Sequence, residues 1–247
     1  MIANIRQISQ QLLNPCFNSP KEVVSWMGAI QGQDYAMAKW AVGIRLKSPT
    51  LRAVEDALAR GEIIRTHVMR PTWHLVAAED IRWMLKLSAQ RIKSANDSFA
   101  KGHGVDISEA LFSRCNRLIE KLLEGNKSLT KQEIEAGLAN EGMTVDNRLM
   151  TRFMARAEVE GIVCSGVDKG KKATYALLEE RVPPVKELTK DEALATLALR
   201  YFRSHSPASL TDFVWWSGLS VTEARTAMGL IDSQLVKERF DSYELFV

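Results

Sequence analysis

Cysteine is scarce in this 247-residue chain: Cys16, Cys115 and Cys164 are odd in number, far apart and without a C-x-x-C spacing. That arithmetic speaks against a disulfide framework and a zinc site, and a reducing cytoplasm is the expected location. Four histidines, His67, His74, His103 and His205, show no metal-ligand spacing, so neither a metal nor a cofactor is expected. No apolar run approaches the roughly 18 residues that span a bilayer. The opening Met1-Ile2-Ala3-Asn4-Ile5-Arg6 lacks the basic-then-apolar order of an export signal. Absent too are G-x-S-x-G, the P-loop, H-E-x-x-H and the dinucleotide fingerprint, which sets aside the commonest serine-hydrolase, nucleotide and zinc-protease chemistries.

What is present is the balance of a globular chain that can bury a core, with 46% hydrophobic and 26% charged residues. The net charge of +3 is unevenly spread. Residues 1–175 hold 25 Lys and Arg against 19 Asp and Glu, while residues 176–247 hold 8 against 11. A polyanionic partner for the first part is compatible with that asymmetry.

Helix starts recur. Ser19-Pro20-Lys21-Glu22, Thr130-Lys131-Gln132-Glu133, Thr189-Lys190-Asp191-Glu192 and Ser220-Val221-Thr222-Glu223 read as capping boxes, and Ser209-Leu210-Thr211-Asp212 as a weaker one. After Ser108 a one-sided stripe runs through Leu111, Phe112, Cys115, Leu118, Ile119, Leu122 and Leu123. Hairpins follow the helices. Glu62–Thr66 pairs with Trp73–Val76 around Met69-Arg70-Pro71. Ile162–Cys164 pairs with Thr174–Leu178 around a basic, glycine-containing tip. Leu235–Lys237 pairs with Tyr243–Phe246 around a turn at Asp241-Ser242.

Three helices and a hairpin, three times over, predict a mainly α fold with small β-hairpins, made of tandem winged-helix (helix-turn-helix) units. The expected boundaries are 1–105, 106–182 and 183–247, with Arg181-Val182-Pro183-Pro184 as the clearest linker. In the middle unit the groove-entering helix would present Asn147, Arg148, Arg152 and Arg156, and the wing Lys169, Lys171 and Lys172, all suited to DNA phosphates. A solvated helix face and a soluble loop tip would carry the same residues. In the third unit Phe213, Trp215, Trp216 and Leu219 crowd one helix and read as packing groups.

The unusual segment is Ala29-Ile30-Gln31-Gly32-Gln33-Asp34-Tyr35. On a helix, side chains two apart diverge, so the two amides converge only on non-helical backbone. Paired amides are not strong bases, but they can hold a water or meet a sugar or base edge. A polar inter-helix loop is the plain alternative.

Gly28–Asp34, Ile44-Arg45, Arg65–Val76 and Glu79–Trp83 resemble the AlkZ/YcaQ family of bacterial DNA glycosylases, and Asp212–Leu219 is similar to the family's third-unit segment. The resemblance implies tandem winged helices clasping duplex DNA with alkylated bases, and excision of alkylated purines, including bulky adducts. It implies that Gln31 and Gln33 are the catalytic pair. By the same resemblance Arg65, His67, Arg70, Trp73 and His74 shape the nearby hairpin and meet the lesion or phosphates. Arg148, Arg152, Lys169, Lys171 and Lys172 are then expected to hold the duplex backbone of a monomeric, monofunctional enzyme, and Asp34 to add its field. Two departures stand out. Gly32 occupies a motif position that is usually apolar, and the C-terminal β-rich region common in the family is expected to be absent. A DNA-binding regulator without catalysis, or an interaction scaffold, would use the same winged helices.

Overall fold

The computed structural model describes residues 2–104, 107–240 and 243–247. All five hydroxyl–acid starts form reciprocal caps: Ser19 with Glu22, Thr130 with Glu133, Thr189 with Glu192, Ser209 with Asp212 and Ser220 with Glu223. Each hydroxyl satisfies a first-turn amide while the carboxylate returns to the cap's own N–H, which fixes where the helix begins. The weaker Ser209 signal is therefore as complete as the others.

A leading helix α1 (Ile2–Ser9) precedes the first unit, which runs α2 (Pro20–Met27), β1 (Ile30–Gln31), α3 (Tyr35–Gly43), α4 (Leu51–Ala59), β2 (Ile63–His67), β3 (Trp73–Ala77). A 22-residue helix α5 (Ile81–Gly102) leads into α6 (Glu109–Leu123), β4 (Leu129–Thr130), α7 (Lys131–Asn140), α8 (Asn147–Val159), β5 (Val163–Ser165) and β6 (Thr174–Leu177). After the short α9 (Leu178–Arg181) come α10 (Lys190–His205), α11 (Leu210–Ser217), α12 (Val221–Gly229), β7 (Lys237–Phe240) and β8 (Tyr243–Phe246). The fold is mainly helical with small antiparallel sheets in winged-helix order. The expected turn at Asp241-Ser242 lies outside the described residues.

The first two sheets share one layout, β1-β3-β2 and β4-β6-β5. In both, a two-residue strand before the second helix joins the hairpin as a third member. The last hairpin has the single-residue counterpart, a bridge between Ala208 and Phe246.

Alternation on the first sheet serves two cores. Ile63 of β2 and Leu75 of β3, on one face of the sheet, go with Val23, Val42 and Val54 of α2–α4. Ile64 and its partner Val76 turn to the opposite face, against Met84 of α5 and Leu194, Leu197 and Phe202 of α10. A separate cluster around Ile119, Leu138 and Phe153 fills α6–α8.

The linker expectation needs correcting at its first half. Val182 is 1% exposed in the core shared with α10, and the Arg181 guanidinium donates to the Leu58 carbonyl at 2.6 Å. An apolar residue ahead of the two prolines is packed here, so the chain leaves the second unit tied down.

Candidate active site

Gly28 ends α2 at φ +75° and turns the chain into β1. Ile30 stands opposite Leu75 and Gln31 opposite His74. The Gly32 N–H donates to the Trp73 carbonyl at 2.6 Å, extending the pairing past the strand. Across the sheet, the Arg65 Nε donates to the Gly32 carbonyl at 2.9 Å. Both peptide groups at Gly32 are thus held, and the backbone between the glutamines is fixed. Gln31 and Gln33 are both exposed, and the Trp73 N–H donates to Gln33 Oε1 at 3.4 Å. Asp34 is the N-cap of α3, its carboxylate accepting from the Met37 N–H at 3.0 Å. It serves the helix start.

Direct cross-strand partners share a face. One face of the hairpin carries Arg65, His67 and Trp73, each engaged. The Arg65 guanidinium lies 4.2 Å from the Trp73 ring centre and 4.9 Å from that of Tyr35. The Tyr35 hydroxyl donates to Asp168 at 3.1 Å, and Ser165 Oγ accepts from the Arg65 N–H at 2.9 Å. Burial holds the Arg65 pKa below its ordinary value and raises that of Asp168. His67 Nδ1 donates to Glu158 Oε2 at 2.5 Å, and the Trp73 indole N–H reaches the same carboxylate at 3.3 Å. Glu158, 2% exposed, escaped the sequence reading; its signal was an acid set in the apolar end of α8, between Ala157 and Val159.

Gln31 belongs to the opposite face, with Thr66 and His74. His74 is buried and its Nδ1 lies 3.0 Å from the Thr72 carbonyl, which requires Nδ1 to carry the proton. Burial pushes its pKa down to about 4, the Arg70 charge adding to the fall. At neutral pH it is an uncharged imidazole. On this side Thr66 Oγ1, Thr72 Oγ1 and Arg70 Nε are shielded from solvent without a hydrogen-bond partner among the described residues. The hairpin tip is held by Arg91, which donates to the Met69 carbonyl at 3.3 Å, and Met69 itself sits at φ +65°. That is an uncommon backbone for a residue with a side chain, the kind found where surroundings enforce it.

The remaining expected residues form a second group. Arg148 is exposed, and Arg152 is half-buried with its guanidinium 5.8 Å from the Phe99 ring. With His67, Lys93 and Lys101 they line a cavity of about 700 Å³ between α5 and α8. His67 thus touches this cavity and, through Trp73, the glutamine segment (ring centres 4.7 Å apart). Lys169, Lys171 and Lys172 are exposed at the second hairpin tip, where Lys169 pairs with Glu133 at 2.7 Å. Arg156 is a correction: its side chain is 4% exposed and bound to Glu109, Glu160 and Asp97, so it is a structural cation rather than a groove contact. Arg70 also departs from its neighbours, lying with Trp215 and Trp216 and away from Arg65. Among the described residues no three His, Cys, Asp or Glu side chains are grouped as metal ligands, and no helix is long and apolar enough to cross a membrane.

A curated relative, the interstrand DNA cross-link repair glycosylase of Streptomyces sahachiroi, is 23% identical over 252 residues, covering 98% of this chain and 67% of the relative. The solved structure of the Streptomyces sahachiroi DNA glycosylase AlkZ superposes with a TM-score of 0.77 at 22% identity, over 100% of this chain and 70% of that one, and shares the fold. The family model described as DNA glycosylase AlkZ-like matches residues 24–247, and the chain belongs to that family of DNA glycosylases, hydrolases that act on DNA.

Proposed function

We propose that the protein hydrolyses the N-glycosidic bond of alkylated purines in duplex DNA, with Gln31 and Gln33 positioning the attacking water. The observation that carries this reading is the fixed backbone between two exposed amides. Gly32 is held through both its N–H and its carbonyl, and Gln33 is further oriented by Trp73.

An N7-alkylated purine is already a cation. When its C1′–N9 bond breaks, the bonding electron pair returns to the purine, which leaves neutral and needs no proton. Positive charge builds on the deoxyribose, the water oxygen bonds to C1′, and the released proton passes to solvent. The requirement on the protein is therefore to place a water rather than to supply a strong acid or base. A carboxamide suits this, accepting through Oε1 and donating through Nε2. Exposed amides at a sheet edge leave room for bulky adducts.

The three winged-helix units, placed at 1–105, 106–182 and 183–247, supply the frame that holds the duplex. Arg148, Arg152, Lys169, Lys171 and Lys172 face its phosphates, and Arg65, His67, Trp73 and His74 shape the wall beside the amides. The Streptomyces sahachiroi relative is named an interstrand DNA cross-link repair glycosylase, and a base tied to the opposite strand would need the same open approach to the amides.

Duplex containing N7-methylguanine tests the reading. Wild type is expected to release free 7-methylguanine, and Gln33→Ala to be slower by about 100-fold or more while binding the duplex equally. Base release that is unchanged in Gln33→Ala, or absent from wild type on every alkylated duplex, overturns it.

A further inference from the structure

Arg70 and the tryptophans of α11 take no part in the chemistry above, yet they meet around a hollow of about 330 Å³ between the first hairpin tip, α1, α10 and α11. Its floor is aromatic. The Tyr201 and His205 rings stack at 4.7 Å, with Trp216 at 5.0 Å from the first and 5.4 Å from the second. At its rim Trp215 is 74% exposed. Neighbouring residues on a helix point about 100° apart, so a helix that buries Phe213 and lays Trp216 on the floor leaves Trp215 outside unless something covers it.

The charges around the hollow are accounted for, with one exception. Asp212 is engaged by the α11 cap through Ser209 and approached by Arg6 at 3.7 Å. Burial pushes His205 down to about 4, so it is neutral. Arg70 remains, its Nε shielded from water and without an acceptor among the described residues. Arg70 lines the hollow and has no carboxylate partner among the described residues, so its charge is open to an anion there.

The hollow also lies on the side of the sheet to which Gln31 belongs. A Cβ placed on Gly28, three residues before Gln31, would sit 3.3 Å from the Trp216 ring. Arg70 is near enough to His74, the partner of Gln31, for its charge to lower the imidazole's proton affinity.

We propose that this hollow receives one purine nucleotide of the DNA, its base stacked against Trp215 and Trp216 and its phosphate bound by Arg70. Aromatic faces accept any base, and an electron-poor N7-alkylated ring stacks on indole more strongly than an unmodified one. The third unit then contributes lesion preference as well as packing. This rests on the glycosylase reading, because only DNA presented to Gln31 places a nucleotide here.

Two measurements separate the two ideas. The first titrates 7-methylguanosine 5′-monophosphate and guanosine 5′-monophosphate into the protein by ligand-observed NMR. Wild type is expected to bind both, the methylated one more tightly. Trp215→Ala and Arg70→Ala should bind at least about fivefold more weakly, and Trp215→Phe should restore binding. Equal binding by wild type and Trp215→Ala, or none by wild type, overturns the proposal. The second is single-turnover release of 7-methylguanine from duplex. Trp215→Ala should be slower by at least about fivefold with undamaged-duplex affinity within about twofold of wild type. An unchanged rate also overturns it. If wild type releases no base at all, the glycosylase reading fails and the nucleotide titration alone judges the hollow.

Discussion

The first and second hairpins have the same three-stranded layout and opposite fates. The turn of the first is enclosed where it leaves β2: Val68 and Met69 are buried, Arg91 holds the Met69 carbonyl, and a Cβ on Gly218 would lie 2.8 Å from that same oxygen, while Pro71 alone is exposed. The tip of the second, around Lys169–Lys172, stands in solvent with its charges outward. One architecture gives a rigid wall in one place and a charged handle in the other, and what decides is whether a neighbouring helix covers the turn. Enclosure suits residues that must keep a geometry for a reaction. Exposure suits residues that need only bring charge to a polyanion, because a phosphate contact works through charge more than through fixed angles.

Glu158 is the strongest place to break that contrast. It comes from α8 in the second unit and accepts from both His67 and Trp73 in the first. Removing the carboxylate leaves one buried and one half-buried donor without an acceptor, and truncating one partner of such a group costs about 3 kcal/mol. Glu158→Ala is expected to lower unfolding stability by that amount in denaturant titration. It should also slow base release, since Trp73 is the residue whose N–H orients Gln33. A loss below about 1 kcal/mol would mean that the enclosed hairpin does not depend on this link.

The exposed hairpin should behave in the reverse way. Lys169 is already paired with Glu133, whereas Lys171 and Lys172 have no ion pair among the described residues. The double substitution Lys171→Ala, Lys172→Ala should leave stability within about 0.5 kcal/mol of wild type. It should reduce the slope of log affinity against log salt by about 2 for duplex DNA, one unit for each lost phosphate contact. An unchanged slope would remove this wing from the DNA interface.

Local signals carried most of the fold. A hydroxyl followed three residues later by an acid marks a helix start by a mechanism confined to one turn, and all five such starts are present. Strands of five residues on either side of Met69-Arg70-Pro71 were legible for the same reason. β1 and β4 were not, because two residues have no period, and Thr130 is at once a strand end and a helix cap. Partners distant in sequence were invisible: Arg156 draws Asp97 and Glu109 from other helices besides its near neighbour Glu160, and Glu158 finds His67 across 91 positions. Phe213, Trp215 and Trp216 read as one packing group because helical spacing shows which side chains can share a face, but not how far the neighbouring surface extends. Of the candidate site, the glutamine segment and its hairpin stood out in sequence; the face on which each residue lies came from strand register.

The gentlest test concerns Gly32, which a sequence reader takes for a point of slack. The structure shows neither slack nor a need for glycine. Its peptide groups are held by Trp73 and Arg65, and a Cβ there would meet the Trp73 carbonyl oxygen and the His74 carbonyl carbon at 3.5 Å, ordinary van der Waals distance. Gly32 is not among the glycines at positive φ. Alanine at this position should therefore fit the native backbone while narrowing the unfolded ensemble, a gain of about 0.4–1 kcal/mol. Gly32→Ala is expected to raise the unfolding midpoint slightly and to keep base release within about threefold of wild type, since the amides rest on hydrogen bonds that the methyl group does not touch. A large loss of activity with stability retained would show that the space beside β3 is needed by the DNA, and that the enclosed hairpin is rigid on one side only.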